Sequence, residues 1–299
     1  MKEVFSLCGI SRQAHFQMLQ RQWHCQQQAA LYVGLIEQTR EMHPGMGLRT
    51  MYEMLQPQGI GRDSFMALGA AEGYQLQSVE RQTRTTFSIK TNRYGNLLGG
   101  KEFTGTNQLW SSDITYFHCL GQFFYIVFIM DVYSRRILGY SVADNMRAEH
   151  NVTALQMALK ARGIKNYEGR LIHHSDKGGQ YASDAYTDLL ENYGIQISMC
   201  NEVYENTHIE RVNGTIKNQY LQRWAVGSKK QLGQRLQQAV KAYNETRPHE
   251  SIRKMPPLSY EQILESIPKE KRVKMTIYTV SKYQDNFNSG QLNLFQQLS

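Results

Sequence analysis

Leu171-Ile172-His173-His174-Ser175-Asp176-Lys177-Gly178-Gly179-Gln180-Tyr181 decides how the chain reads. An apolar pair runs into a carboxylate, then two glycines, then a helix-forming segment. That is how a strand delivers an acid to the open end of a sheet and stops. A second acid stands upstream in Trp110-Ser111-Ser112-Asp113-Ile114-Thr115-Tyr116. This run is β-branched and aromatic, and an aspartate inside a sheet needs a partner or a metal. Glu210, on a helical segment downstream, completes a candidate triad of Asp113, Asp176 and Glu210.

Working outward, three strand-like runs at 109–119, 123–133 and 137–142 are joined by turns at Leu120-Gly121 and Ser134-Arg135-Arg136, which predicts an antiparallel meander. A helix over 148–161 follows, with Val152, Leu155 and Leu159 at steps of three and four. Strand 171–174, helix 183–193, strand 195–199 and helix 207–224 then alternate. A meander followed by such alternation predicts an α/β fold, a mixed five-stranded sheet flanked by helices. A further helix over 229–243 stops at Arg247-Pro248.

Before the sheet, residues 1–75 read as short helices, one over 26–42, one over 48–55 and one opening after Gly59-Ile60-Gly61. Gly9-Ile10-Ser11-Arg12-Gln13-Ala14-His15-Phe16 supplies a turn glycine and a serine cap, compatible with half of a small all-α helix-turn-helix unit in which Arg12 meets DNA. The expected organisation is a helical arm over 1–74, a basic linker over 75–106, a catalytic core over 107–265 and a tail over 266–299 carrying a short strand at 273–280.

The 299 residues, 41% hydrophobic and 20% charged, can bury a sizeable core. Four cysteines without a CxxC pair suggest neither a disulfide framework nor a structural zinc site. With no charged-then-apolar leader and no apolar run of spanning length, a cytoplasmic protein without a membrane segment is expected. A formal charge of +8 favours a polyanionic partner. Arg81, Arg84, Lys90 and Arg93 fall in a polar stretch with few acids, and Lys217, Arg223, Lys229 and Lys230 follow Glu210. Solvated faces are the plain reading; beside a metal site, phosphate contact is the better one.

Three carboxylates within ~4 Å of one another would repel by roughly 4 kcal/mol per pair at an effective dielectric near 20. They must hold protons or bind cations. Oxygen-only ligands favour magnesium or manganese, and two such ions can activate an attacking oxygen and stabilise a leaving one in phosphodiester chemistry.

Each acid also has a plainer reading. Glu210 lies three residues after Thr207 and could close a capping box. Asp176 could be a turn acid, and Asp113 could pair with a buried arginine. Asp131 is an alternative strand acid, while Glu202 and Glu205 compete for the third role from a less rigid loop. His174 reads as a phosphate contact or as a supporting group. Lys217 and Asn213 share a helical face with Glu210 and are candidate DNA contacts.

Together, Trp110 to Tyr116, Asp131-Val132-Tyr133-Ser134-Arg135-Arg136, His174 to Tyr181, Tyr204-Glu205-Asn206 with Glu210, and Tyr243-Asn244 with Arg247-Pro248-His249 resemble the integrase-core (DDE) transposases of the IS-three insertion-sequence family, second reading frame, which are related to retroviral integrase. The resemblance spans about residues 105–262, and Pro44-Gly45-Met46-Gly47-Leu48-Arg49 loosely resembles that family's arm, with Leu48 in place of an aromatic. It implies an RNase H-like fold, a catalytic triad of Asp113, Asp176 and Glu210 on two magnesium ions, cleavage at terminal inverted repeats of double-stranded DNA, and strand transfer by the freed 3′ hydroxyl. It also implies a homo-oligomeric synaptic complex, an upstream helix-turn-helix frame product as partner, and a bacterial, nucleoid-associated location. The stretch between Asp176 and Glu210, residues 177–209, is two residues shorter than the family's usual spacing. An inert DNA-binding regulator of the same family and an RNase H-type nuclease are the alternative functions.

Overall fold

The computed structural model of the chain describes residues 9, 11–79, 93–201 and 203–277. Arg81, Arg84, Lys90 and Glu202 lie outside the described residues, as does the tail beyond residue 277. The chain divides into two compact units, residues 1–79 and 80–299.

The first unit is helical, as expected. Helix α1 (Arg12–Met42) is capped by Ser11, whose Oγ accepts the Ala14 N–H at 3.0 Å. The short helix expected after Ser11, as the second half of a helix-turn-helix, is corrected here: α1 runs unbroken for 31 residues. Residues 17–30 contain neither glycine nor proline and are rich in glutamine, so nothing local stops the helix. Helices α2 (Leu48–Leu55) and α3 (Arg62–Ala71) form a hairpin on it around Ile36, Met46, Met51 and Phe65. Gly69 lets α3 approach, since a Cβ there would fall 2.7 Å from Leu48 Cδ2. Arg40 closes the unit by donating to the carbonyls of Pro44 (2.6 Å) and Tyr74 (2.8 Å).

The second unit is built on strands β2 (Leu109–Cys119), β3 (Gln122–Asp131) and β4 (Ile137–Ala143), which pair antiparallel after the short β1 (Glu102–Phe103). Leu120 (φ 56°) and Gly121 (φ 74°) turn β2 into β3 with the left-handed pair of conformations that matches strand twist. Helix α4 (Ala148–Arg162) crosses to β5 (Ile172–Ser175), and helix α5 (Asp184–Asn192) leads to β6 (Gln196–Met199); β5 pairs parallel with both β2 and β6. The order β4-β3-β2-β5-β6 is the expected mixed, RNase H-like five-stranded sheet.

Both faces of this sheet are covered. Phe124, Phe128 and Met130 of β3 pack on one side against helices α6 (Thr207–Ile216) and α7 (Lys229–Glu245), through Ile209, Val212 and Leu236. Val127 and Ile129 face the other side, against Leu155 of α4 and Leu190 of α5. This explains why β3 reads as a continuous apolar run rather than an alternating one. Gly139 of β4 meets α4 so closely that a Cβ would lie 2.0 Å from the Ala154 carbonyl oxygen.

Three features were not read from sequence. The predicted helix 207–224 becomes a π turn at Lys217–Leu221, with the Gln222 N–H on the Lys217 carbonyl at 2.9 Å. Helix α8 (Pro257–Ser266) starts with proline at its first position, a recognisable opening signal. Strand β1 and the buried Leu98 lie in the stretch expected as a linker, and β1 pairs with β7 (Met275–Thr276), which falls within the short strand expected at 273–280. Among the described residues no helix is long and apolar enough to cross a membrane.

Candidate active site

Asp113 occupies the middle of β2, opposite Phe128 of β3. Asp176 follows the last residue of the neighbouring β5, and Glu210 lies in the first turn of α6, which packs across β2. The sheet and one helix thereby bring Asp176 and Glu210 within electrostatic reach of Asp113. Burial, followed by the charges of Asp176 and then, more weakly, Glu210, pushes the Asp113 carboxyl up to about 8, against the opposing bonds from the Ile114 N–H and from Asn213 Nδ2 at 2.7 Å. Surrounding protein also raises Asp176, despite the single bond its Oδ1 accepts from the Gly178 N–H at 3.1 Å, and raises Glu210.

Glu210 closes no capping box. The cap of α6 is Asn206, and the Glu210 carboxylate has no hydrogen-bond or ion-pair partner among the described residues. It lines an open groove of about 430 Å³ with Asp113, Tyr116, Asn213, Lys217 and Gln222. Lys217 holds its ammonium 5.2 Å from the centre of the Tyr116 ring. Burial lowers its pKa while Asp113 opposes the shift.

The supporting polar groups were missed by sequence reading. Ser111 Oγ donates to Asn206 Oδ1, and Asn206 Nδ2 donates to the Ser112 carbonyl at 3.1 Å. Ser112 Oγ donates to the Phe128 carbonyl at 3.0 Å and takes the Tyr181 hydroxyl at 3.0 Å. The two serines before Asp113 thus tie its strand to the cap of the Glu210 helix and to the turn after Asp176. A serine pair inside an otherwise apolar strand was the available signal.

The competing acids are occupied elsewhere. Asp131 is fully buried, accepts the N–H groups of Asn107, Tyr133 and Ser134, and pairs with Arg162 at 3.0 Å. Glu205 accepts the Asn201 N–H at 2.6 Å. His174 is corrected as a DNA contact. It is 1% exposed, its Nδ1 lies 2.9 Å from Ser198 Oγ and its Nε2 lies 3.0 Å from Cys200 Sγ. Burial holds it neutral, with a pKa down to about 4. Asn213 is buried and spends its amide on Asp113. Arg93 pairs with Asp184 at 2.9 Å on the surface, and Arg12 is exposed on α1 over the Phe16 ring.

An all-carboxylate set whose central member resists ionisation, and whose helical member has no protein partner, fits a hard divalent cation such as magnesium or manganese.

Two models described as "Integrase core domain" match residues 104–203 and 193–257. The chain is 31% identical over 228 residues to the transposase for insertion sequence element IS629 of Shigella sonnei, covering 74% of this chain and 75% of that protein. It is 34% identical over 116 residues to transposase InsF for insertion sequence IS3A of Escherichia coli, covering 38% of this chain and 39% of that protein. The HTLV-2 integrase catalytic core domain, solved in complex with magnesium, is 17% identical with a TM-score of 0.43, covering 56% of this chain and 99% of that one.

Proposed function

The chain belongs to the insertion-sequence transposases that carry an integrase core domain, and we propose that Asp113, Asp176 and Glu210 hold two magnesium ions, replaceable by manganese, for cutting and joining DNA. The substrate is double-stranded DNA at the terminal inverted repeats of the element, and the freed 3′ hydroxyl is joined to target DNA. Bound there, the ions supply charge neutralisation to the phosphodiester and activation to the attacking oxygen.

The chain's own residues do the rest. Asn213 fixes the rotamer of Asp113 through the bond to Oδ2. Lys217 sets a cation in the groove beside Asp113, where a phosphate oxygen would otherwise meet two acids with no positive side chain among the lining residues. Ser111, Ser112, Asn206 and Tyr181 hold the three acid-bearing elements in one arrangement, so little reorganisation is left for the chemical step. Arg12, Arg81, Arg84, Lys90 and Arg93 are assigned to contacts with DNA. Two DNA ends need two active sites, which makes a homo-oligomeric synapse the working form. A bacterial nucleoid is the place of action, and an upstream helix-turn-helix frame product is the partner for full repeat recognition.

The observation that carries this reading is Glu210, a partnerless carboxylate across a groove from an Asp113 that is hard to ionise. The test is cleavage and strand transfer on a labelled duplex bearing the terminal repeat, in magnesium, with DNA binding measured in parallel. Wild type cuts and joins; Glu210→Gln binds the duplex and does neither. A wild type that binds without cutting, even with the upstream frame product added, would identify an inert relative and overturn the proposal.

A further inference from the structure

A second cluster of metal-ligand type sits beside the three carboxylates and shares no residue with them. His174 comes from β5, Cys200 follows the last residue of β6, and Glu205 belongs to the 3₁₀ turn (Val203–Asn206) that leads into α6. One ligand atom from each lies within 4.8 Å of the other two. His174 Nε2 and Cys200 Sγ are 3.0 Å apart.

Two observations point to a cation. Glu205 is 5% exposed, and among the described residues its carboxylate has one partner, the Asn201 N–H, and no lysine or arginine. A buried carboxylate without a counter-charge is costly. Secondly, the far nitrogen of His174, Nδ1, rests on Ser198 Oγ, itself buried and held by the Leu97 N–H at 2.9 Å. That outer bond directs Nε2 at the cluster, which is how imidazole ligands are oriented around metals.

The dimensions fit. Zinc at ~2.3 Å from sulfur and ~2.0–2.1 Å from nitrogen or oxygen sets tetrahedral ligand separations of roughly 3.3–3.6 Å. Here His174 Nε2 and Cys200 Sγ lie 3.0 Å apart and all three ligand atoms fall within 4.8 Å of one another, so closing on an ion needs shifts within side-chain reach. We propose that His174, Cys200 and Glu205 form a binding site for a thiophilic divalent cation of the zinc class, distinct from the magnesium site. A mixed sulfur, nitrogen and oxygen set selects the softer ion, and an all-carboxylate set the harder one, so the two sites sort their cations. On binding, the Cys200 thiol loses its proton to solvent and the thiolate bonds the metal. The ion clasps β5, the end of β6 and the turn one residue before Asn206, the cap of the helix that carries Glu210. The role is structural, and it asks nothing of the DNA chemistry.

The test is metal binding by the full chain, read without DNA. Wild type loaded with cobalt(II) is expected to show a thiolate-to-cobalt charge-transfer band at one ion per chain, displaced by zinc. The band is lost in Cys200→Ser and kept in Cys119→Ser and in Glu210→Gln, which separates this site from the active site. Glu205→Gln retains the band but binds zinc at least ~10-fold more weakly in competition with a chromophoric chelator. A wild type with no thiolate band overturns the proposal whatever the variants do, because the trio is then only a hydrogen-bonded one. A band that survives in Cys200→Ser does so too.

Discussion

Asn206 Nδ2 donates to the carbonyl of Ser112 at 3.1 Å, so the residue that caps the Glu210 helix is bonded to the residue before Asp113. The same amide accepts from Ser111 Oγ. Both groups are buried, and Asn206→Ala leaves a carbonyl and a hydroxyl without partners. Each orphaned group costs about 1–3 kcal/mol. The variant should be less stable by about 2–4 kcal/mol in urea unfolding. Because α6 is then free to shift against β2, strand cutting should fall at least tenfold while duplex binding is held. Activity equal to wild type in a destabilised variant would show that the bond serves folding alone.

Asp113 sets a pH dependence for the metal-free protein. Its folded-state value is about 8, against an ordinary value of 3.8. Between those limits the folded chain holds a proton that the unfolded chain has released, so stability falls as pH rises, and the loss is complete above about 8. Asp176 and Glu210, both raised, add in the same direction. Chemical denaturation across this window without metal should show the decline, and Asp113→Asn should flatten it. Magnesium competes with the same proton, so its affinity should rise with pH up to about 8 and its presence should offset the decline.

How far the sequence was legible depends on the range of the interactions. The first three strands of the sheet were readable because β-branched and aromatic runs at 109–119, 123–133 and 137–142 carry their own signal, and the turns between them are short. Asp113 and Asp176 stand out in the sequence because an acid in or beside such a run is anomalous locally, whereas Glu210, on a helix, carries no such local signal. The tie from Ser111 and Ser112 to Asn206 joins residues about ninety positions apart and leaves no periodic trace. The same holds for Tyr181 on Ser112. His174 was misplaced at the DNA because its polarity was visible and its burial under Ser198 and Cys200 was not. The unbroken α1 is a different case: residues 17–30 contain no breaker, so the helix capped at Ser11 runs on to Met42.

Arg162 is the hub of a buried ion cluster that ties the ends of β3 and α4 to the middle of α8. Its Nη2 lies 3.0 Å from Asp131 Oδ2 and 2.6 Å from Glu261 Oε1, and its Nη1 lies 2.9 Å from Glu261 Oε2. Arg136 reaches the same Glu261 at 2.7 Å. Arg162→Met leaves Asp131 charged, buried and without its cation, at a cost of about 3–5 kcal/mol. Arg162→Met combined with Asp131→Asn should recover part of that loss. Equal destabilisation of single and double variants in urea would show that packing, not charge, is what Arg162 contributes.

Lys217 should separate binding from chemistry. It stands seven residues after Glu210 at the start of the π turn, with its ammonium over the Tyr116 ring and facing the groove that Asp113 lines. A phosphate entering that groove displaces little, because Lys217 holds no ion pair among the described residues. Removing one phosphate contact lowers the slope of log affinity against log salt by about 1. Lys217→Ala should therefore bind the terminal repeat more weakly at low salt and converge on wild type at high salt. Lys217→Arg keeps the charge and should restore the salt slope. An unchanged slope in Lys217→Ala would remove this lysine from the DNA interface and leave it as a packing partner of Tyr116.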